Sequence, residues 1–145
     1  MRINNKGFTL VELLAVLVII ALIGAIAIPN VISIADNNRK DLMLQDAMKF
    51  VSLAKAEIVK DRVFRDNPNV QTKEYTLATL DQKKLIVTDP DDGLYNRENS
   101  KVKYTKSVGY CVYLEGSKRI IKASKTNSAC LQEELLSNRA YVFDK

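Results

Sequence analysis

Hydrophobic positions change their spacing twice along this chain. From Phe8 to Ile28 they are continuous, and Glu12 is the one charged residue in the run. Wound as an α-helix at about 1.5 Å per residue, this segment is roughly 31 Å long, close to the hydrocarbon thickness of a bilayer. It is apolar on every side, which excludes an amphipathic surface helix. Beyond Pro29 the pattern opens. Met43, Ala47, Phe50, Ala54 and Ile58 recur at helical spacing with Val51 widening the stripe, while Lys40, Asp41, Lys49, Lys55 and Lys60 fall largely off it. The two stretches predict one long helix from about Phe8 to about Phe64, stopped by the turn formers Asp66-Asn67-Pro68-Asn69. Pro29 is expected to kink or end it, and Asp36-Asn37-Asn38 is a weak stretch within it.

The remainder reads in shorter pieces. Tyr75 to Leu85 predicts a short helix through Leu77, Leu80 and Leu85. Asp89-Pro90-Asp91-Asp92-Gly93 is a tight turn, with Pro presetting one dihedral and Gly permitting a positive one. Lys101–Ser107, Val108–Glu115 and Arg119–Ser124 predict successive strands. In the middle one, alternation sends Val108, Tyr110, Val112 and Leu114 one way and Cys111 and Tyr113 the other. Glu115-Gly116-Ser117-Lys118 supplies a hairpin turn. Ser128 caps a short helix through Leu131 and Leu135, and Ala140 to Phe143 closes the sheet. The expected fold class is α+β: a long N-terminal helix, transmembrane in its first half and amphipathic in its second, packed against a small antiparallel sheet.

Composition narrows the chemistry. The 145 residues suit one modest domain. The net charge of +5 comes from 22 Lys+Arg against 17 Asp+Glu, scattered as at Arg39-Lys40, Lys83-Lys84 and Lys118-Arg119. Such a surface leaves nucleic acid open as a partner without indicating it, a solvated face being the simpler reading. Histidine is absent, which removes the usual general base and the commonest metal ligand. Two cysteines cannot build a four-thiolate zinc site. Asp89, Asp91 and Asp92 do not follow a calcium-loop pattern, since Thr88 and Pro90 occupy positions that need acids or amides. Gly109 and Gly116 lack the lysine of a phosphate-binding loop. The sequence predicts no catalytic residue, no cofactor and no metal.

Arg2 and Lys6 precede the apolar run and should hold the N-terminus on the cytoplasmic side, with the rest outside. Two cleavages compete there. Ala25-Ile26-Ala27 has the small-x-small character of a secretory site, which would free a soluble domain starting at Ile28. Against it, the apolar run exceeds an ordinary signal peptide, and Glu12 would burden a segment made for disposal. The alternative cut falls between Gly7 and Phe8 and keeps the helix.

Lys6-Gly7-Phe8-Thr9-Leu10-Val11-Glu12-Leu13-Leu14 resembles the prepilin signature of type IV pilins and their pseudopilin relatives. The resemblance covers about the first 30 residues closely. It implies a leader, residues 1–7, removed by prepilin peptidase after Gly7, N-methylation of the exposed Phe8 amine, and a role for Glu12 in filament assembly. Four segments result: 1–7 the leader, 8–29 the transmembrane and assembly helix, 30–66 its amphipathic half, and 67–145 the sheet-bearing head. Partners implied are other copies and related pilins, prepilin peptidase, a membrane platform with its ATPase, and membrane lipid before assembly. The implied product is an extracellular pilus, or fimbrium, used in adhesion, twitching motility or DNA uptake.

Physical arguments accompany this resemblance. An acid in lipid is penalised by about 2.5–3.5 kcal/mol at mid-membrane and less near the interface. A neighbouring copy's Phe8 amine could relieve it. Ala21, Gly24 and Ala25 form a small-residue patch that admits close helix approach, and the Gly24–Pro29 stretch is where the resemblance allows the helix to loosen. Cys111 and Cys130 enclose 18 residues. Outside the membrane they can form a disulfide, free buried thiols being the alternative, and pilins often staple this region. A pseudopilin of a secretion or competence machine shares these features. A single-pass binding module that never polymerises is the rival of another class. Abundant Lys and Asn fit a low-GC, Gram-positive source.

Overall fold

A single helix, α1, runs Leu10–Lys60 in the computed structural model, which describes residues 9–126 and 129–145. The chain divides into two compact units between Asp36 and Asn37. In the first, the large apolar side chains of α1 are exposed, from Leu10 at 81% to Ile34 at 59%. The helix does not end at Pro29, nor does it break at Asp36-Asn37-Asn38. Pro29 removes one amide from the ladder, but the helix, already nucleated over many turns before it, propagates through the gap. The Asn30 side-chain amide donates to the Ile26 carbonyl at 3.2 Å.

The expected extension of α1 to Phe64 is interrupted. Asp61 leaves the helical region, and its carboxylate accepts from the Phe64 amide at 3.0 Å, starting the short helix α2, Arg62–Asp66. A helix cap at Asp61 thus competes with propagation through it. Lys73 holds the same carboxylate at 2.8 Å. The break turns Phe64 inward, 3% exposed, edge-on to Tyr104.

The second unit, Asn37–Lys145, buries the predicted stripe: Met43, Ala47, Phe50, Val51 and Ala54 are at most 1% exposed and Ile58 8%. Leu44 joins them. Against this face packs an antiparallel sheet of β1 (Thr72–Thr76), β2 (Lys101–Thr105), β3 (Gly109–Glu115), β4 (Arg119–Ile121), β5 (Leu131–Gln132) and β6 (Val142–Asp144). The order is β1-β2-β3-β4-β6, with β5 also on β3. Val102 lies opposite Val112, Val112 opposite Leu131 and Leu114 opposite Ile121. All five enter the core, as alternation requires.

Four expectations are corrected. The helix expected over Tyr75–Leu85 is strand β1 followed by a single turn, α3 (Leu77–Leu80). Tyr75 pairs with Val102 across β2, so cross-strand pairing outweighs local helical spacing. Val108 is not an inward strand residue: it sits in the β2–β3 turn, 62% exposed, where Gly109 adopts φ 93°. Leu131 belongs to β5, and only Glu133–Leu135 coils, as a 3-10 turn. Ser128, its expected cap, lies outside the described residues. The closing strand is Val142–Asp144, preceded by a 3-10 turn at Arg139–Tyr141.

Candidate functional site

The N-terminal turn of α1 is built by two side chains. Glu12 Oε2 accepts from the Thr9 amide at 2.9 Å and from Thr9 Oγ1 at 2.8 Å. In return the Glu12 amide donates to Thr9 Oγ1 at 3.3 Å. This is a reciprocal capping box, which satisfies amides that a helix start leaves open. Thr9 was not singled out from the sequence, although Thr-x-x-Glu before an apolar run is the signature that marks it. Glu12 is therefore not bare within its own chain. Its partners are neutral, however, and among the described residues Oε1 has none. Among the described residues the carboxylate has no counter-charge.

Gly7 and Phe8, the expected cleavage and methylation positions, lie outside the described residues. Further along α1, Ala21 and Ala25 are exposed and Gly24 is half-exposed. A Cβ built on Gly24 would meet nothing within 4 Å, so the small-residue patch is open to another helix. By length and composition, α1 is able to cross a membrane.

In the second unit Cys111, on β3, is joined to Cys130 by a disulfide, with their Cα atoms 5.3 Å apart. Cys130 precedes β5, and Cys111 lies opposite Gln132 of that strand. The bond therefore fastens the C-terminal segment to the central strand of the sheet.

The acidic turn serves the fold. Asp89 Oδ1 accepts from the Asp91 and Gly93 amides, both at 2.9 Å, and Oδ2 from the Ser117 amide. Burial alone would raise its pKa, yet these bonds, with that of the Ser117 side chain, hold it below the usual carboxylate value. Arg119 Nη1 meets Asp91 Oδ1 at 2.6 Å. The positive φ falls on Asp92, at 63°, not on Gly93. Gly93 is needed for a different reason: a Cβ there would overlap the Ser117 side chain. Asp81 is a second anchor, 1% exposed, bonded to the Leu85 and Ile86 amides at 2.7 and 2.9 Å and to Arg97 at 3.1 Å. Sequence reading passed over it, because a lone acid in a polar stretch gives no sign of burial.

Comparison with known proteins bears on the N-terminal part. Residues 2–28 match the family described as the prokaryotic N-terminal methylation motif. The chain is 46% identical over 50 residues to the type IV wide pilus major component PilA4 of Thermus thermophilus. That match covers 32% of this chain and 38% of that protein, so the chain spans well under half the length of the relative it matches. No solved structure matches. Both matches support the resemblance to a type IV pilin.

Proposed function

We propose that this chain is a structural subunit of a type IV pilus. In this reading it is stored in the cytoplasmic membrane through α1, with the sheet-bearing unit outside. Prepilin peptidase cuts it after Gly7 and Phe8 is N-methylated. A membrane platform with its ATPase then draws it from lipid into an extracellular filament of like copies, fit for adhesion, motility or DNA uptake.

The observation that carries this reading is Glu12: a carboxylate in the first turn of a membrane-length helix, capped among the described residues by neutral donors of Thr9 alone. An ammonium at 4 Å would attract it by about 4 kcal/mol at an effective dielectric near 20, before desolvation is subtracted. The Phe8 amine of a staggered neighbour would supply that charge. The open surface at Ala21, Gly24 and Ala25 would let the helices approach. Gly24 and Pro29 mark where the helix could loosen once the array forms.

The test is the N-terminal mass of the natural protein. A mature chain starting at methylated Phe8, with filaments visible by electron microscopy using an antibody to the second unit, is the expected result. An intact leader on monomeric protein, in cells whose pilus machinery is active, would overturn the proposal.

A further inference from the structure

Asp81 and Asp89 build the same turn twice. In each, the amide three residues on donates to the aspartate's carbonyl: Lys84 to Asp81 at 3.1 Å, and Asp92 to Asp89 at 3.2 Å. In each, the amide four residues on donates to the aspartate's Oδ1: Leu85 at 2.7 Å and Gly93 at 2.9 Å. The third residue is left-handed both times, with φ 53° at Lys84 and 63° at Asp92, a region that residues other than glycine seldom occupy. A leucine then projects outward, Leu85 at 67% and Leu94 at 66% exposure.

The turns differ in charge and in place. Lys83 and Lys84 have no ionic partner among the described residues, and neither has Asp92. Asp91, within the acidic turn, stands 3.7 Å from Arg39. Tyr95 donates to Asp46 at 3.0 Å. Lys83 lines a groove with Glu57 and Lys60. The segment thus runs antiparallel to α1, and Arg39 and Glu57 are separated by roughly 27 Å of helix axis. The basic turn and the acidic turn occupy opposite ends of the second unit along that axis.

We propose that these turns are the two halves of a contact between successive copies of this chain. Lys83-Lys84-Leu85 of one copy docks on Asp92-Gly93-Leu94 of the next. The inference rests on the filament reading and names where subunits meet outside the membrane helix. Charge supports the pairing. At the basic end Arg97 offsets Asp81 and Glu57 offsets Lys60, which leaves two lysines in excess. At the acidic end Arg39 and Arg119 are drawn to Asp91, and Arg119 also meets the 75% exposed carboxylate of Asp144 at 3.3 Å. Asp92 is exposed, and neither it nor the buried Asp89 has an ionic partner among the described residues, so four carboxylates stand against Arg39, Arg119 and Lys118. Each leucine adds apolar area to the join. Because the two surfaces differ, the contact is heterologous and passes from copy to copy, as an open filament where the rotation between copies does not close a ring.

Zero-length carbodiimide cross-linking tests this on full-length chains, mixed from light- and heavy-nitrogen cultures. The expected product is a mixed-isotope peptide joining Lys83 or Lys84 to Asp92 or Asp144. Reversing one end, by Lys83→Glu with Lys84→Glu or by Asp92→Lys, should lower filament yield ~10-fold or more. Reversing both ends together should restore much of it. Filaments of normal yield without the mixed cross-link would overturn the contact and leave the pilus reading intact. The mixed cross-link in detergent-held chains that never form filaments would sink the pilus reading and uphold the contact.

Discussion

Thr9 and Glu12 cap each other across the first turn of α1, with three hydrogen bonds of 2.8 to 3.3 Å between them. Capping residues of this kind contribute about 1 kcal/mol. Thr9→Ala should therefore fray the start of the helix, seen as faster amide exchange over Leu10–Leu13, while Thr9→Ser should not. Glu12→Ala loses both the cap and the carboxylate. It should insert in the membrane and yield little filament, and a wild-type yield would remove Glu12 from assembly.

Phe50 is fully buried where the stripe of α1 meets the sheet. Truncation there leaves a cavity that a sheet on one side and a helix on the other cannot collapse to fill. Phe50→Ala should cost about 3–5 kcal/mol in denaturant unfolding of the full chain. Val59, on the opposite face and 68% exposed, should tolerate alanine within about 0.5 kcal/mol.

The close approach of Gly93 to Ser117 yields a paired test. Gly93→Ala alone drives its methyl into the Ser117 side chain and should destabilise the unit by about 1–3 kcal/mol. Adding Ser117→Gly removes the obstructing atoms and should recover part of the loss. Equal unfolding midpoints for the single and double variants would show that backbone conformation at residue 93, and not space, is decisive.

Acid should unfold the second unit through Asp81 and Asp89. Burial disfavours both charges, but the Ile86 and Leu85 amides with Arg97 outweigh it at Asp81, and Ser117 with the Gly93 and Asp91 amides at Asp89. Both folded pKa values lie below the ordinary 3.8. The folded state then binds these protons more weakly than the unfolded one. Their stabilisation is complete above pH 3.8 and is lost as pH falls through the lower folded values. Unfolding free energy should accordingly be flat from about pH 7 to 5 and drop below about pH 4. Asp81→Asn should be weaker at neutral pH and show a shallower acid loss.

Reduction of Cys111–Cys130 opens a loop of 18 residues, a change of about 3 kcal/mol in the chain-entropy treatment. Exchange should rise first around Leu131–Gln132, whose pairing to β3 the bond secures. Proteolysis near residues 125–130 of the reduced chain is the simplest readout.

Much of this protein was legible as pattern. The apolar run from Phe8 is unbroken over about 20 residues, and the stripe from Met43 to Ile58 and the alternation at Val112 and Leu114 each repeat a period. Patterns of that extent are read from neighbouring residues alone. What the tertiary structure decided was local and non-repeating. Tyr75 is a strand residue because Val102 lies opposite it, and Leu131 because Val112 does. Asp61 breaks a helix because its carboxylate finds the Phe64 amide three residues on. Asp81 and Asp89 are buried anchors because chain distant in sequence, at Arg97 and Ser117, returns to meet them. A period is written in neighbouring residues, whereas the partner of a lone side chain is set only when remote segments close the core around it.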